Sequence, residues 1–189
     1  MGRRLFKELE QSYGFDDVAI VPGEVTINPD MTSTQMTIGD QTFDIPVLAS
    51  AMDGAVSPSF ATLMHEMGGL GVLNAEGLYT RYEDPYSVLE EITSMPQSEV
   101  TEHIQQVYSE PIKEELIGKR VSEIKQAGGV CAVSFTPQNT KRMSPAAVEA
   151  GADLVFVQST VTTARHMSKS YKGLVFSDLI KSLQIPVVV

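Results

Sequence analysis

Residues 45–76, IPVLASAMDGAVSPSFATLMHEMGGLGVLNAE, hold a strand, a loop, a helix and a second strand in one short stretch. Ile45 to Ser50 is an apolar run containing Pro46. Ser57-Pro58 is a helix start: the serine hydroxyl can cap orphan amides, and proline is pre-set for the first helical position. Phe60, Leu63, Met64 and Met67 recur at i, i+3, i+4 and i+7, which predicts the apolar stripe of a helix lying on a core. Gly68-Gly69 stops that helix, and Leu70 to Leu73 begins a second buried strand. A strand–helix–strand unit of this size is a right-handed parallel crossover. It sets the polar loop Ala51–Ser57 at the carboxyl end of its strand, where α/β proteins seat their ligands.

The rhythm continues downstream. Val130 to Phe135 reads as a third strand, and Ser144-Pro145 as the start of a short helix closed by Gly151. Asp153 to Gln158 reads as a fourth strand, residues 174–183 as a helix, and Ile185–Val189 as a fifth strand. Continuous apolar runs separated by helices predict a parallel sheet covered on both faces. An open doubly wound sheet and the first part of a TIM (β/α)8 barrel both meet that description. A complete barrel takes about 250 residues. Five strands in 189 residues, with the chain stopping inside an apolar run, favour a barrel truncated after about the fifth strand.

Residues 1–44 precede this half-barrel of residues 45–189 and are expected to cap it. Within them, Phe15 to Gly23 reads as a short strand ended by the Pro22-Gly23 turn, and Thr34 to Phe43 as a hairpin around Gly39-Asp40. Residues 77–129 are long for one connection and read as a helical insertion. Asp84-Pro85, Ser98 and Glu110-Pro111 offer helix starts. Val100, Ile104 and Val107 make one helical stripe, and Ile112, Leu116 and Ile117 another. The insertion is too short for a pair of inserted domains of roughly 50 residues each.

A net charge of -10 argues against a general nucleic-acid or anionic-membrane surface, which calls for clustered Lys and Arg. No apolar run approaches a membrane span. The opening residues MGRRLFKE lack the apolar core of a secretory signal. A single cysteine, Cys131, leaves no internal disulfide and fits a reducing cytoplasm. No Cys/His cluster has metal-ligand spacing, so no metal is expected. Gly68-Gly69-Leu70-Gly71 precedes a strand instead of following one, and so is not a dinucleotide fingerprint.

Four stretches carry a family resemblance: YGFDDVAIVPG at 13–23, IPVLASAMDGAVSP at 45–58, MGGLGVLNAEG at 67–77 and EAGADLVFVQST at 149–160. In this order they resemble the IMP dehydrogenase/GMP reductase family, most closely its IMP dehydrogenase-related branch without paired regulatory CBS domains. The resemblance implies a barrel that binds a purine nucleotide and a nicotinamide cofactor across its carboxyl-end loops. In the dehydrogenase a cysteine attacks C2 of IMP, hydride passes to NAD, and hydrolysis of the adduct gives XMP. In the reductase, NADPH and GMP yield IMP and ammonia. The resemblance places the nucleophilic cysteine after the sixth barrel strand, beyond Val189, so this chain alone is expected to be inactive. It also implies a homo-oligomer, a tetramer, for the full-length protein. A flavin-dependent barrel oxidoreductase and a non-catalytic purine-nucleotide-binding protein are the further alternatives; the FDDV…VPG stretch argues against the flavin reading.

The resemblance assigns Ser50 and Met52 to the ribose and base of the nucleotide, with Asp53 beside them; Met52 offers a soft apolar surface to a purine. Spacing alone favours a core methionine and a turn-forming aspartate, and it is the resemblance that reverses the reading. Gln158, Ser159 and Thr160, with Thr136 after the third strand, correspond to cofactor-binding positions. Gln158 departs from the family's acidic residue, keeping hydrogen-bonding capacity but losing charge. Asn74, Ala75 and Glu76 replace a His/Asn-rich sequence, and Glu76 reads either as a ligand contact or as a solvated loop residue. His65 and His103 fall on predicted helices. His166, near Arg165 and Lys169, reads as a cofactor-phosphate contact or a solvated helix start. Cys131, inside an apolar strand, is assigned to the core.

Overall fold

The computed structural model describes residues 11–159, 163–164 and 173–189. The chain divides into two units, Met1–Ser33 and Thr34–Val189. The described part of the first contains two 3-10 turns, Phe15–Asp17 and Pro29–Met31. The strand expected over Phe15–Gly23 does not form. The Asp17 carboxylate accepts the Gly14 N–H at 2.8 Å while the Asp17 N–H donates to the Gly14 carbonyl at 3.1 Å, and this curls the segment. A local side-chain bond of this kind competes with extended backbone.

The second unit begins with the expected hairpin, β1 (Met36–Ile38) paired antiparallel with β2 (Gln41–Phe43). A five-stranded parallel sheet follows: β3 (Leu48–Ala49), β4 (Leu70–Asn74), β5 (Ala132–Phe135), β6 (Leu154–Val157) and β7 (Val187–Val188). The strands lie side by side in chain order, with no reversal. Among the described residues the helices are α1 (Pro58–Glu66), α2 (Pro85–Ser94), α3 (Val100–Ser109), α4 (Glu114–Gln126), α5 (Pro137–Glu149) and α6 (Phe176–Ser182).

The two faces of the sheet bury different partners. Leu73, Cys131, Val133, Phe135, Val155 and Val157 pack with side chains of α1, α4, α5 and α6 in one core cluster. The alternate residues Leu70, Val72, Ala132 and Leu154 pack instead with Phe43 of the hairpin. Leu70, Ala132 and Leu154 are the first residues of their strands, so the hairpin packs at the amino-terminal end of this face, and Ala51 extends the cluster to the loop after β3. Among the described residues, α1, α4, α5 and α6 all pack on one face of the sheet, and this, with strands in chain order, is not the arrangement of a doubly wound sheet.

α1 corrects one expectation. Ser57 caps it as predicted, its hydroxyl accepting the Phe60 N–H at 3.0 Å. Most of the stripe predicted to face the core does not do so: Phe60, Leu63 and Met67 are 37%, 47% and 66% exposed, whereas Met64 is half-buried and Pro58 and Ala61 are buried. The reason is a close approach of backbones. A Cβ on Gly71 of β4 would stand 2.7 Å from the Ala61 Cα, so only a small residue can face the sheet there. Large side chains are therefore turned outward.

Other boundaries also move. α5 begins at Pro137, not Ser144-Pro145, because Thr136 is extended and Pro137 takes the first helical turn; Pro145 then lies inside the helix. Pro145 sits on the exposed side, where its missing N–H costs the helix one backbone bond. Asp84 caps α2 through the Ser87 N–H, as its sequence suggests. α3 and α4 begin at Val100 and Glu114 without side-chain caps, so Ser98 and Glu110-Pro111 are not their starts.

Candidate functional site at the carboxyl ends of the strands

Four strand ends lie next to one another here: residues 50–57 after β3, 74–76 at the end of β4, Thr136 after β5 and Gln158–Ser159 after β6. The parallel register levels them, with Asn74 opposite Ser134 and Phe135 opposite Val157.

The first loop is held by its own backbone. The Met52 N–H donates to the Ser50 carbonyl at 2.8 Å, and the Met52 carbonyl accepts the Ala55 and Val56 N–H groups, each at 2.9 Å. This tight turn points Ser50 and Met52 outward, Met52 being 59% exposed, and drives Asp53 inward to 6% exposure. Asp53 Oδ2 accepts the Leu78 N–H at 3.1 Å and the Tyr108 hydroxyl, and lies 3.5 Å from Asn74 Nδ2. A Cβ on Gly77 would fall 1.9 Å from Asp53 Oδ1, so glycine makes room for the carboxyl. Burial holds the Asp53 carboxyl above its ordinary range, opposed by the bonds from Tyr108 and Leu78 and by the Arg81 charge. Asp53 thus ties the loop to the insertion, while Ser50 and Met52 present themselves to a ligand.

Glu76 is half-buried and is not a loose loop residue. Its carboxylate accepts from the Thr136 N–H at 2.5 Å, the Thr136 hydroxyl at 2.8 Å and Asn139 Nδ2 at 2.7 Å. It therefore sits at the N-terminal end of α5, where the helix field favours an anion. Thr136, named above as a cofactor position, has both donors committed to Glu76. Gln158 and Ser159 are exposed, and the Gln158 N–H donates to the Phe135 carbonyl at 3.1 Å. The Gln158 amide remains able to donate to or accept from a ligand hydroxyl. Thr160, Arg165, His166 and Lys169 lie outside the described residues.

Arginines and tyrosines of the insertion were not singled out in the sequence, yet they build the wall of this site. Arg81 donates to the Glu76 carbonyl at 3.0 Å and to the Glu110 carbonyl, and its guanidinium lies 5.7 Å from the Tyr108 ring centre. Arg120, buried on α4, donates to the carbonyls of Tyr79 at 2.8 Å, Tyr82 at 3.1 Å and Glu83 at 2.7 Å. Cys131 is fully buried, and burial pushes its thiol up to about 12, so it is no nucleophile at this face. His65 lies on α1 and His103 on α3. No group of three or more His, Cys, Asp or Glu among the described residues is placed to hold a metal ion. No described helix is long and apolar enough to cross a membrane.

The arrangement can therefore bind, through the exposed Ser50 hydroxyl, Met52 thioether and Gln158 amide at the carboxyl ends of the strands. It shows no reactive thiol among the described residues. Residues 12–175 match the model of the IMP dehydrogenase / GMP reductase domain. The chain is 34% identical over 183 residues to an uncharacterized oxidoreductase of Mycolicibacterium smegmatis, covering 94% of this chain and 49% of that protein. An uncharacterized oxidoreductase of Mycobacterium tuberculosis gives the same identity and coverage. An inosine-5'-monophosphate dehydrogenase of Korarchaeum cryptofilum is 35% identical over 65 residues, 34% of this chain and 14% of that protein. A crystal structure of an IMP dehydrogenase/GMP reductase-like protein from Corynebacterium glutamicum superposes with a TM-score of 0.85 at 30% identity, covering 96% of this chain and 48% of that one. The chain spans about half the length of the curated relatives it matches. By the extent of these matches, the chain belongs to the IMP dehydrogenase/GMP reductase family.

Proposed function

We propose that this chain is the nucleotide-seating half of a (β/α)8-barrel oxidoreductase of the IMP dehydrogenase type, which in its complete form converts IMP, NAD and water to XMP and NADH. The observation that carries the reading is the loop after β3. In a member of this family, Ser50 and Met52 stand exposed on a turn whose Asp53 is buried and tied down. On this reading the Ser50 hydroxyl takes a ribose or phosphate oxygen, and Met52 lies against the purine, where a thioether adapts to a flat apolar ring. Chain-order strands and one-sided helices support the barrel over an open sheet.

NAD supplies the hydride acceptor when bound. The residues present fit its ribose better than its phosphates: the Gln158 amide and Ser159 hydroxyl are exposed, whereas Glu76 already fills the anion-favouring end of α5. The attacking thiol belongs to a residue outside this chain, since Cys131 is buried.

GMP reductase activity with NADPH is the second reading, favoured by Gln158 standing where the family has a carboxylate. Purified complete protein decides between them. NADH formation from IMP, seen as absorbance growth, supports the dehydrogenase. NADPH consumption only with GMP replaces it with the reductase. Nucleotide binding with neither turnover leaves a non-catalytic purine binder.

A further inference from the structure

The helical insertion reaches the nucleotide loop through one side chain. Tyr108, on α3, donates its hydroxyl to Asp53 Oδ2, the inward-facing side chain of the turn that presents Ser50 and Met52. The approach is braced from several sides. Arg81 lies over the Tyr108 ring, and Arg81 also bonds the Glu110 carbonyl just past the end of α3. The Tyr82 hydroxyl donates to the Val107 carbonyl at 2.9 Å, next to Tyr108 in the chain. The other hydrogen-bonding groups at Asp53 are Asn74, at the end of β4, and the Leu78 N–H just after it. Tyr108 is thus the donor to Asp53 that comes from the α2–α3 part of the insertion.

We propose that Tyr108 is a positioning residue: through its bond to Asp53, the insertion holds residues 50–56 in the conformation that receives the nucleotide. The inference rests on the reading of Ser50 and Met52 as nucleotide contacts. The Tyr108 hydroxyl is committed to Asp53, and it is through Asp53 that it acts on the turn. A pinned loop pays no ordering entropy when the nucleotide arrives, and a loosened one does. Loss of the pin weakens binding of ground state and transition state alike, so it raises KM without lowering kcat.

The test uses the complete protein with IMP and GMP as probes, and compares Tyr108→Phe with Gln105→Ala, an exposed change on the same helix. Calorimetric Kd and KM for the accepted nucleotide are expected to rise roughly tenfold in Tyr108→Phe, the scale of one hydrogen bond to a charged group, with kcat nearly unchanged. Gln105→Ala is expected to bind as the unmodified protein does. Without ligand, hydrogen exchange at the Ala55 and Val56 amides is expected to accelerate in Tyr108→Phe alone. Failure of the unmodified protein to bind either nucleotide overturns the purine reading and this inference with it. Normal nucleotide binding that Tyr108→Phe leaves unchanged overturns the inference alone, as does an equal loss in both variants.

Discussion

The Glu76 carboxylate at the end of β4 holds Thr136, the residue before α5, by both its backbone N–H and its hydroxyl. Thr136 makes no cap of its own, so a neighbouring strand supplies the carboxylate that the helix start lacks. Asn139 completes the set from inside the first turn. Glu76→Ala is expected to destabilise the fold by about 1–2 kcal/mol, the combined scale of a lost cap and a lost charge at a helix start. Glu76→Gln, which keeps an acceptor oxygen but no charge, is expected to lose about half as much. Denaturant midpoints at equal m-value measure both, and an unchanged midpoint for Glu76→Ala would show that the cap carries no stability.

That link was only half legible in the sequence. Glu76 could be seen to follow a strand, but nothing local joins it to a threonine sixty positions on. Strand order makes the contact, because β4 and β5 are neighbours and their ends are level. The same limit explains α1. Its apolar spacing gave a helix of the right extent, yet the side facing the sheet was decided by Gly71, whose close approach to Ala61 leaves no room for Phe60 or Leu63. Periodicity finds the stripe; packing decides whether the stripe is covered. The apolar strands were readable because each is a continuous run bounded by turns. Phe15–Gly23 failed for the opposite reason, since a carboxylate beside an open amide outweighs a short β-prone run.

Asp53 makes stability depend on pH in an unusual direction for a carboxylate. Its folded pKa is raised above the ordinary 3.8, burial being the largest cause. The folded state therefore holds the proton more tightly than the unfolded chain, and stability falls as pH rises from the ordinary value through the folded one. Above that window the difference levels off. Asp53→Asn removes this dependence while keeping an acceptor for the Leu78 N–H. Midpoints of both proteins between about pH 3 and about pH 7 are expected to diverge, the unmodified protein losing ground as pH rises. Parallel curves would contradict the assignment.

Arg120 was hidden in the sequence because an arginine on an amphipathic helix ordinarily faces water. Here it is 6% exposed and fastens the turn at residues 79–83 to α4 through three carbonyls, with Glu123 balancing its charge at 2.7 Å. Arg120→Ala strands the buried Tyr79 carbonyl and frees the two part-buried ones, and a loss of about 2 kcal/mol is expected. Arg120→Lys is expected to recover only part of it, since an ammonium cannot reproduce the planar fork. Full recovery by lysine would mean that charge alone, not the fork, holds the turn.

Cys131 gives a probe of the sheet itself. Its thiol lies in the core between the strands and the helices, pushed up to about 12 by burial first and by the Asp153 charge second. Thiol reagents need both access and thiolate, so at about pH 8 the native protein is expected to resist labelling, and the denatured chain to react at once. The labelling rate of native protein then reports the opening of β5. Asp153 accepts the Cys131 N–H at 2.7 Å and is held in turn by Lys125 at 2.7 Å. Asp153→Ala removes that latch at the start of β5, and is expected to speed labelling as local opening becomes easier. Rapid stoichiometric labelling of unmodified native protein would instead place the thiol at the surface and reopen its candidacy as a nucleophile.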